Sequence, residues 1–249
     1  MRLFVAVYPP RPAVDDLTAQ VARLRIGAAS AAGTNVRLAD PAHAHLTLAF
    51  LGDVEESRLV DVESALGLAA ETYRNGLDGL DGRDGLDGQD GEGGLDGLDG
   101  LDGQGGQDGE DGPDGEGGLD GLDGRDGRND GDRRDGSLRL RLSGGGSFGR
   151  GRFTVLWVDV RGDIDGLATL ARLIRIGLRR ARLPYDEKPF RAHLTIARPG
   201  DRVDRAEILA DREALHDYAG PEWTADELVL VRSHPGPKPT YDRLAAWPI

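Results

Sequence analysis

The chain has 249 residues, a formal net charge of −13, five histidines and no cysteine. Without cysteine, disulfides, thiolate metal sites and a cysteine nucleophile are excluded. The acidity is local: 20 acidic residues stand against 5 arginines between Gly76 and Gly136, while the rest of the chain holds 24 acids and 26 bases. A near-neutral body, large enough for a hydrophobic core, therefore carries one strongly acidic tract.

The opening MRLFVAVYPP reads as an apolar strand over residues 2–8, stopped by Pro9–Pro10. It is too short for a signal peptide and lacks a small-residue cleavage site. No run approaches the ~20 apolar residues of a membrane span, so the expectation is a soluble cytoplasmic protein. Val14, Leu17, Val21 and Leu24 follow at helical spacing across residues 13–26. HLTLAFL, residues 45–51, alternates as a strand and is closed by Gly52–Asp53. Leu59, Val62, Leu66 and Ala69 then repeat the helical pattern within residues 56–74.

From Gly76 to Gly127 glycine occupies every third position, mostly as Gly-Leu-Asp triplets. Such periodicity is a collagen signature, because only glycine fits at the triple-helix axis. Collagen also needs abundant imino acids, and this tract holds one proline, Pro113, with aspartates that would repel across three strands. A calcium-binding β-roll has a nine-residue repeat, not a period of three. The remaining reading is a flexible, self-repelling insertion with too little apolar surface to fold. Chains tolerate such an insertion in a loop because closure entropy grows slowly with length.

Beyond the tract the same kinds of element return. SLRLRLSG (137–144) alternates strictly and FTVLWVDV (153–160) is a longer apolar strand. Ile164 to Leu183 is an amphipathic helix with a basic face of Arg172, Arg175, Arg179 and Arg180. FRAHLTIAR (190–198) is a strand, Arg205 to Tyr218 a helix, ELVLVRS (227–233) a strand, and TYDRLAAW (240–247) a final short one. The pattern predicts an α+β chain: a pseudo-symmetric two-lobed fold, each lobe an antiparallel sheet with helices on its outer face. Residues 1–75 and 137–249 form the single bilobal domain, and residues 76–136 interrupt it as a low-complexity insertion.

The tetrapeptide AHLT occurs in both halves, placing His45 and His193 at positions 148 apart. On a strand, residues i and i+2 share a face. His45 therefore lies beside Thr47, and His193 beside Thr195, while Leu46, Leu48, Leu194 and Ile196 face the core. If the two strands meet, two imidazoles and two hydroxyls converge. That set suits phosphoryl chemistry: a neutral histidine takes a proton from water and a protonated one gives a proton to the departing oxygen. Histidine holds either state near neutrality, and each role is worth ~10²–10⁴ in rate. The threonines can donate to phosphate oxygens, and Arg198 can add a permanent cation with bidentate geometry. The chemistry needs no metal and no cofactor, and no carboxylate cluster accompanies these strands. A single H-x-T is an ordinary surface pattern; two in identical contexts on matching strands call for a common role. His43 also alternates onto the His45 face, but Arg191 occupies the matching place before His193, so His43 is flanking. His216, in a helix, and His234, in a proline-rich turn, receive no role.

HLTLAFLG (45–52) and RAHLTIAR (191–198) resemble the paired motifs of the two-histidine phosphoesterases, most closely the RNA 2′,3′-cyclic phosphodiesterases, or 2′-5′ RNA ligases. The MRLFVAV opening, FTVLWVDV, KPFRAHLTIAR and the tail ELVLVRSHPGPKPTYDRLAAWPI agree, so the resemblance covers residues 1–75 and 137–249. It implies that His45 protonates the leaving O3′ and that His193 activates water, opening a 2′,3′-cyclic phosphate to a 2′-phosphate. Thr47, Thr195 and Arg198 would bind phosphate oxygens, and Phe50 and Tyr241 are candidates for base contact or for core packing. The implied partner of this monomer is RNA with a 2′,3′-cyclic phosphate end, tRNA fragments included. Two features depart from the pattern: Ala192 stands where the family commonly has proline, and the acidic tract is foreign to it. A net charge of −15 near the site would repel phosphates, though screening over ~8 Å limits its reach. The alternatives are another cyclic phosphate, a 2′-5′-linked oligonucleotide, a non-catalytic protein that binds RNA ends, or a collagen-like assembly carrying the phosphoesterase as passenger.

Overall fold

The computed structural model describes residues 1–76, 138–149, 153–199, 203–236 and 239–249. The Gly-Leu-Asp tract, and with it the choice among triple helix, β-roll and unfolded insertion, lies outside the described residues. The sequences on either side of it belong to one compact unit.

The first half supplies β1 (Arg2–Val7), α1 (Arg11–Arg23), α2 (Arg25–Ala31), β2 (Leu46–Asp53) and α3 (Leu59–Arg74). The second supplies β3 (Leu138–Phe148), β4 (Val155–Gly162), α4 (Ile164–Arg180), β5 (His193–Ala197), α5 (Arg205–His216), β6 (Ala219–Ala225), β7 (Glu227–His234) and β8 (Thr240–Pro248). Two four-stranded antiparallel sheets result, ordered β2-β1-β7-β8 and β5-β4-β3-β6. The expected α+β, two-lobed fold is thus present, but the lobes are not the halves of the chain. The C-terminal strands β7 and β8 return to complete the first sheet. Helices cross as well: α1, which follows β1, packs on β6 and β3 of the second sheet, while α4, which follows β4, reaches α3 and β2.

Burial explains the strand patterns. The first sheet is buried on both faces at β1, whose residues from Leu3 to Val7 are at most 1% exposed. That is why LFVAV is continuously apolar instead of alternating. One face joins the main core, which runs through both lobes. The other carries a small separate cluster of Phe4, Ala6, Val229 and Val231.

Three local expectations are corrected. The single helix over residues 13–26 breaks at Leu24, which is extended (φ −74°, ψ 162°). The break is held by a distant residue: the buried carboxylate of Asp211, on α5, accepts from the N–H groups of Arg25 at 2.8 Å and Ile26 at 3.0 Å. It thereby satisfies donors that a helix start leaves free. Next, AGPEWTA, to which the sequence reading assigns no element, forms β6; its internal Pro221 is accommodated because β6 is the outer strand of its sheet. Finally, β3 runs on to Phe148 instead of ending at residue 144. A bulge lies between Leu142 and Gly145, with Gly144 at φ +73°, a left-handed conformation that glycine adopts without steric penalty.

Helix α4 ends in a paired C-terminal hydrogen-bond motif, Arg182 N–H donating to Arg179 O and Leu183 N–H to Leu178 O, both at 2.9 Å. Arg182 has φ +53° at a position where glycine is the usual residue. Arg182→Gly is expected to leave the fold intact and to raise stability by up to about 1 kcal/mol, since a side chain in the left-handed region is penalised by about 1–2 kcal/mol and glycine's extra unfolded-state entropy offsets part of the gain. Chemical denaturation of the two proteins side by side measures it.

Candidate active site

The two motif strands are edge strands, β2 of the first sheet and β5 of the second, and they contact each other. Each edge is closed by the segment that leads into the other motif. Ahead of His45, Leu38 bridges to Ala197, Ala39 N–H donates to Ile196 O at 2.8 Å, and Arg198 N–H donates to Arg37 O at 3.1 Å. Ahead of His193, Asp186 N–H donates to Phe50 O at 2.7 Å. The seam between the sheets is therefore stitched reciprocally.

His45, Thr47, His193 and Thr195 are each half-buried, while Leu46, Leu48, Leu194 and Ile196 are 1–3% exposed. The histidine and threonine of each strand thus occupy the open side of the seam, as the alternation requires. Strict alternation fails immediately afterwards, in the same way on both strands. Thr47 and Ala49 face consecutive residues of β1, and Thr195 and Ala197 face consecutive residues of β4. The extra residue in each bulge buries two neighbours together, Leu48 with Ala49 and Ile196 with Ala197. The next residue then returns to the open side. Those residues are Phe50 and Arg198, equivalent positions in the two motifs. Phe50 stacks on Phe4 with ring centroids 5.8 Å apart, and Arg198 is exposed just past the end of β5.

Both imidazoles are oriented by the same device. His45 Nδ1 lies 2.6 Å from the carbonyl oxygen of His43, and His193 Nδ1 lies 2.8 Å from that of Arg191. A carbonyl oxygen only accepts, so each Nδ1 carries the hydrogen and each Nε2 is left for chemistry. His43 is accordingly a flanking residue that acts through its backbone, and its ring meets Tyr241 edge-on at 4.9 Å.

The two histidines differ in their surroundings. His45 stacks on Phe4 at 4.8 Å, with Tyr241 at 5.6 Å and Tyr8 at 5.9 Å. Burial among these rings lowers its pKa below the ordinary histidine value. Its hydrogen bond to the His43 carbonyl opposes that shift, while the charges of His43 and His193 add to it. Tyr8 is shifted upward, chiefly by its own burial, and stays a neutral phenol. His193 meets Phe148 edge-on at 5.3 Å and Trp157 at 6.1 Å. The Arg191 guanidinium lies over Trp157 at 4.3 Å and over Phe148 at 5.2 Å. Gly146 makes room for this wall: a Cβ there would come within 2.2 Å of the Trp157 ring.

All four expected histidines and threonines are thus brought to one seam, with Tyr241 beside His45 and Phe50 against Phe4. His216 ends α5 and stands apart. His234 ends β7, within the sheet and not in a turn, where its Nε2 contacts Asp242 at 2.6 Å. Phe4, Tyr8, Phe148, Trp157 and Arg191 were not singled out by sequence reasoning. For Trp157 the strand period gives a face opposite to Leu156 and Val158, but not which face meets the site. Phe148 had no usable signal, because glycines precede it. Among the described residues no group of three histidine, aspartate or glutamate side chains is placed to hold a metal ion, and no helix is long and apolar enough to cross a membrane.

Comparison with known proteins agrees with the fold. A family model described as the 2′-5′ RNA ligase superfamily matches residues 133–237, and one described as LigT like Phosphoesterase matches residues 11–76. Among solved structures, TT0787 of Thermus thermophilus is similar at 22% identity and a TM-score of 0.58, over 100% of this chain and 97% of that one. Escherichia coli LigT in complex with 3′-AMP is similar at 17% identity and a TM-score of 0.58, over 100% and 97%. The same protein with phosphate gives 17% and 0.56, over 100% and 96%. No curated protein sequence matches the chain.

Proposed function

Because this chain belongs to the two-histidine phosphoesterases of the 2′-5′ RNA ligase superfamily, we propose that it hydrolyses RNA 2′,3′-cyclic phosphate ends to 2′-phosphomonoesters. The observation that carries the reading is the duplicated histidine, each with Nδ1–H donated to the carbonyl two residues earlier and Nε2 left free. In the proposed reaction His193 Nε2 takes a proton from water as its oxygen bonds to phosphorus. The P–O3′ bond breaks, and His45 Nε2–H gives its proton to O3′. Thr47 and Thr195 donate to the non-bridging oxygens, Arg198 adds a fixed charge, and Phe50 and Tyr241 offer aromatic surface to a base. Escherichia coli LigT, solved with 3′-AMP, supports a nucleotide as the ligand class. The pseudo-symmetry gives no ground for choosing which histidine is donor; that choice follows the family resemblance.

The test is turnover of a 2′,3′-cyclic nucleotide by the purified protein, with the product identified as the 2′- or the 3′-phosphate. The 2′-phosphate is expected, at a rate unchanged by EDTA. Thr47→Val or Thr195→Val should lower kcat/KM roughly 10- to 100-fold, the equivalent of about 1.5–3 kcal/mol for a hydrogen bond to a charged group. Recovery of the cyclic nucleotide unchanged would instead mark a protein that only binds RNA ends.

A further inference from the structure

The arginine row of α4 takes no part in the site just described. Arg172, Arg175 and Arg179 recur at intervals of three and four and so share one face. Arg182 follows directly beyond the helix end. Arg172, Arg179 and Arg182 are exposed, and none of them forms an ion pair with a described carboxylate. The one acidic residue on α4, Asp165, lies in its first turn, about 10 Å along the axis from Arg172. The row is joined to the catalytic seam by a specific contact: Arg175 Nη2 donates to Lys188 O at 2.6 Å. Lys188 belongs to the segment that crosses from α4 past the edge of β2 into β5 and His193. Asp186 of this segment faces Lys188 at 3.9 Å, so its charge is already met; Glu187 is exposed.

Arg182 occupies the left-handed position (φ +53°) that closes α4 and carries the row past the helix end into the segment that leads to His193. Arg37, which stitches the other side of the seam, is the second non-glycine residue with positive φ among those described.

We infer that the arginine row of α4 is a second RNA contact, receiving backbone phosphates of the strand whose end lies between His45 and His193. Arginine forks match phosphate oxygens, and phosphate contacts of this kind position a strand without reading its sequence. A membrane surface is disfavoured, because an interfacial helix must insert its apolar face, whereas Leu167, Leu170, Ile174 and Leu178 of α4 are all 0% exposed in the core. The inference rests on the proposed action on RNA ends, but it is tested separately, by binding.

The experiment compares the full-length protein with the triple variant Arg172→Gln, Arg179→Gln, Arg182→Gly, using a fluorescent single-stranded RNA of about a dozen nucleotides and, in parallel, 2′-AMP. The glycine is chosen because that position favours it, which guards the fold. RNA affinity should fall roughly tenfold or more, and the slope of log affinity against log salt should drop by about two, near 0.7 per lost phosphate contact. Affinity for 2′-AMP should not change. RNA affinity equal to that of the parent protein overturns the inference, as does a parent protein that binds no RNA at low salt. Loss of anionic vesicle binding with RNA affinity intact also overturns it, in favour of a membrane surface. Failure of the proposed hydrolysis is read from turnover of the cyclic mononucleotide, and leaves the RNA-binding comparison valid.

Discussion

Replacing either His45 or His193 by alanine is expected to lower kcat on a 2′,3′-cyclic nucleotide by ~10²–10⁴, the usual contribution of a single general acid or base. The reason lies in the hydrogen-bond pattern. With Nδ1–H committed to a backbone carbonyl, Nε2 is a lone pair when the ring is neutral and a donor when it is protonated. One ring must be in each state at once, so the pair acts as a unit, and the double variant should be little worse than the more damaging single one. Circular dichroism of each variant should match the parent, because both side chains lie on the open side of the seam. Full turnover by both single variants would sink the mechanism.

Phe4→Ala is expected to destabilise the protein by about 3–5 kcal/mol, the usual range for deleting a buried phenylalanine. Phe4 is 1% exposed and packs against Phe50, Tyr241 and His45. Its loss also opens the pocket whose desolvation lowers the His45 pKa. Admitting water favours the charged imidazole and raises that pKa toward about 6.5. In the parent protein the lower limb of a bell-shaped kcat/KM profile should therefore fall below the ordinary histidine value. Phe4→Leu, which keeps most of the volume, should move that limb upward and narrow the bell. The height of the bell separates the two assignments of donor and acceptor. If His45 is the donor, a raised pKa enlarges the fraction with His45 protonated and His193 neutral, and the maximum rises. If His45 is the acceptor, that fraction shrinks and the maximum falls. The limbs belong to the coupled pair, so the maximum, and not the position of a limb, decides.

The doubled AHLT was enough to pair His45 with Thr47 and His193 with Thr195 on shared faces, because a strand's period of two is a local property that holds before any partner strand is known. The same locality limits what the strand period can place. Phe50 and Arg198, already candidates on chemistry and on the family resemblance, reach the open side only because each motif strand takes a bulge against its neighbour, and a bulge is a relation between two strands. Trp157, Phe148 and Phe4 become walls of the site through sheet order and facing, which one strand's sequence does not encode.

The break between α1 and α2 follows the same rule, since the carboxylate that holds it, Asp211, lies 186 positions from Arg25. By itself, then, the sequence determined most of the elements, the α+β class, the paired motif and the acidic tract, all matters of period and composition. Tertiary structure alone decided that β7 and β8 return to the first sheet, that β2 and β5 are the edges that meet, and that His45 is the more enclosed histidine. Burial and edge pairing come from long-range packing, and that packing is what turns two equivalent tetrapeptides into two chemically distinct halves of one site.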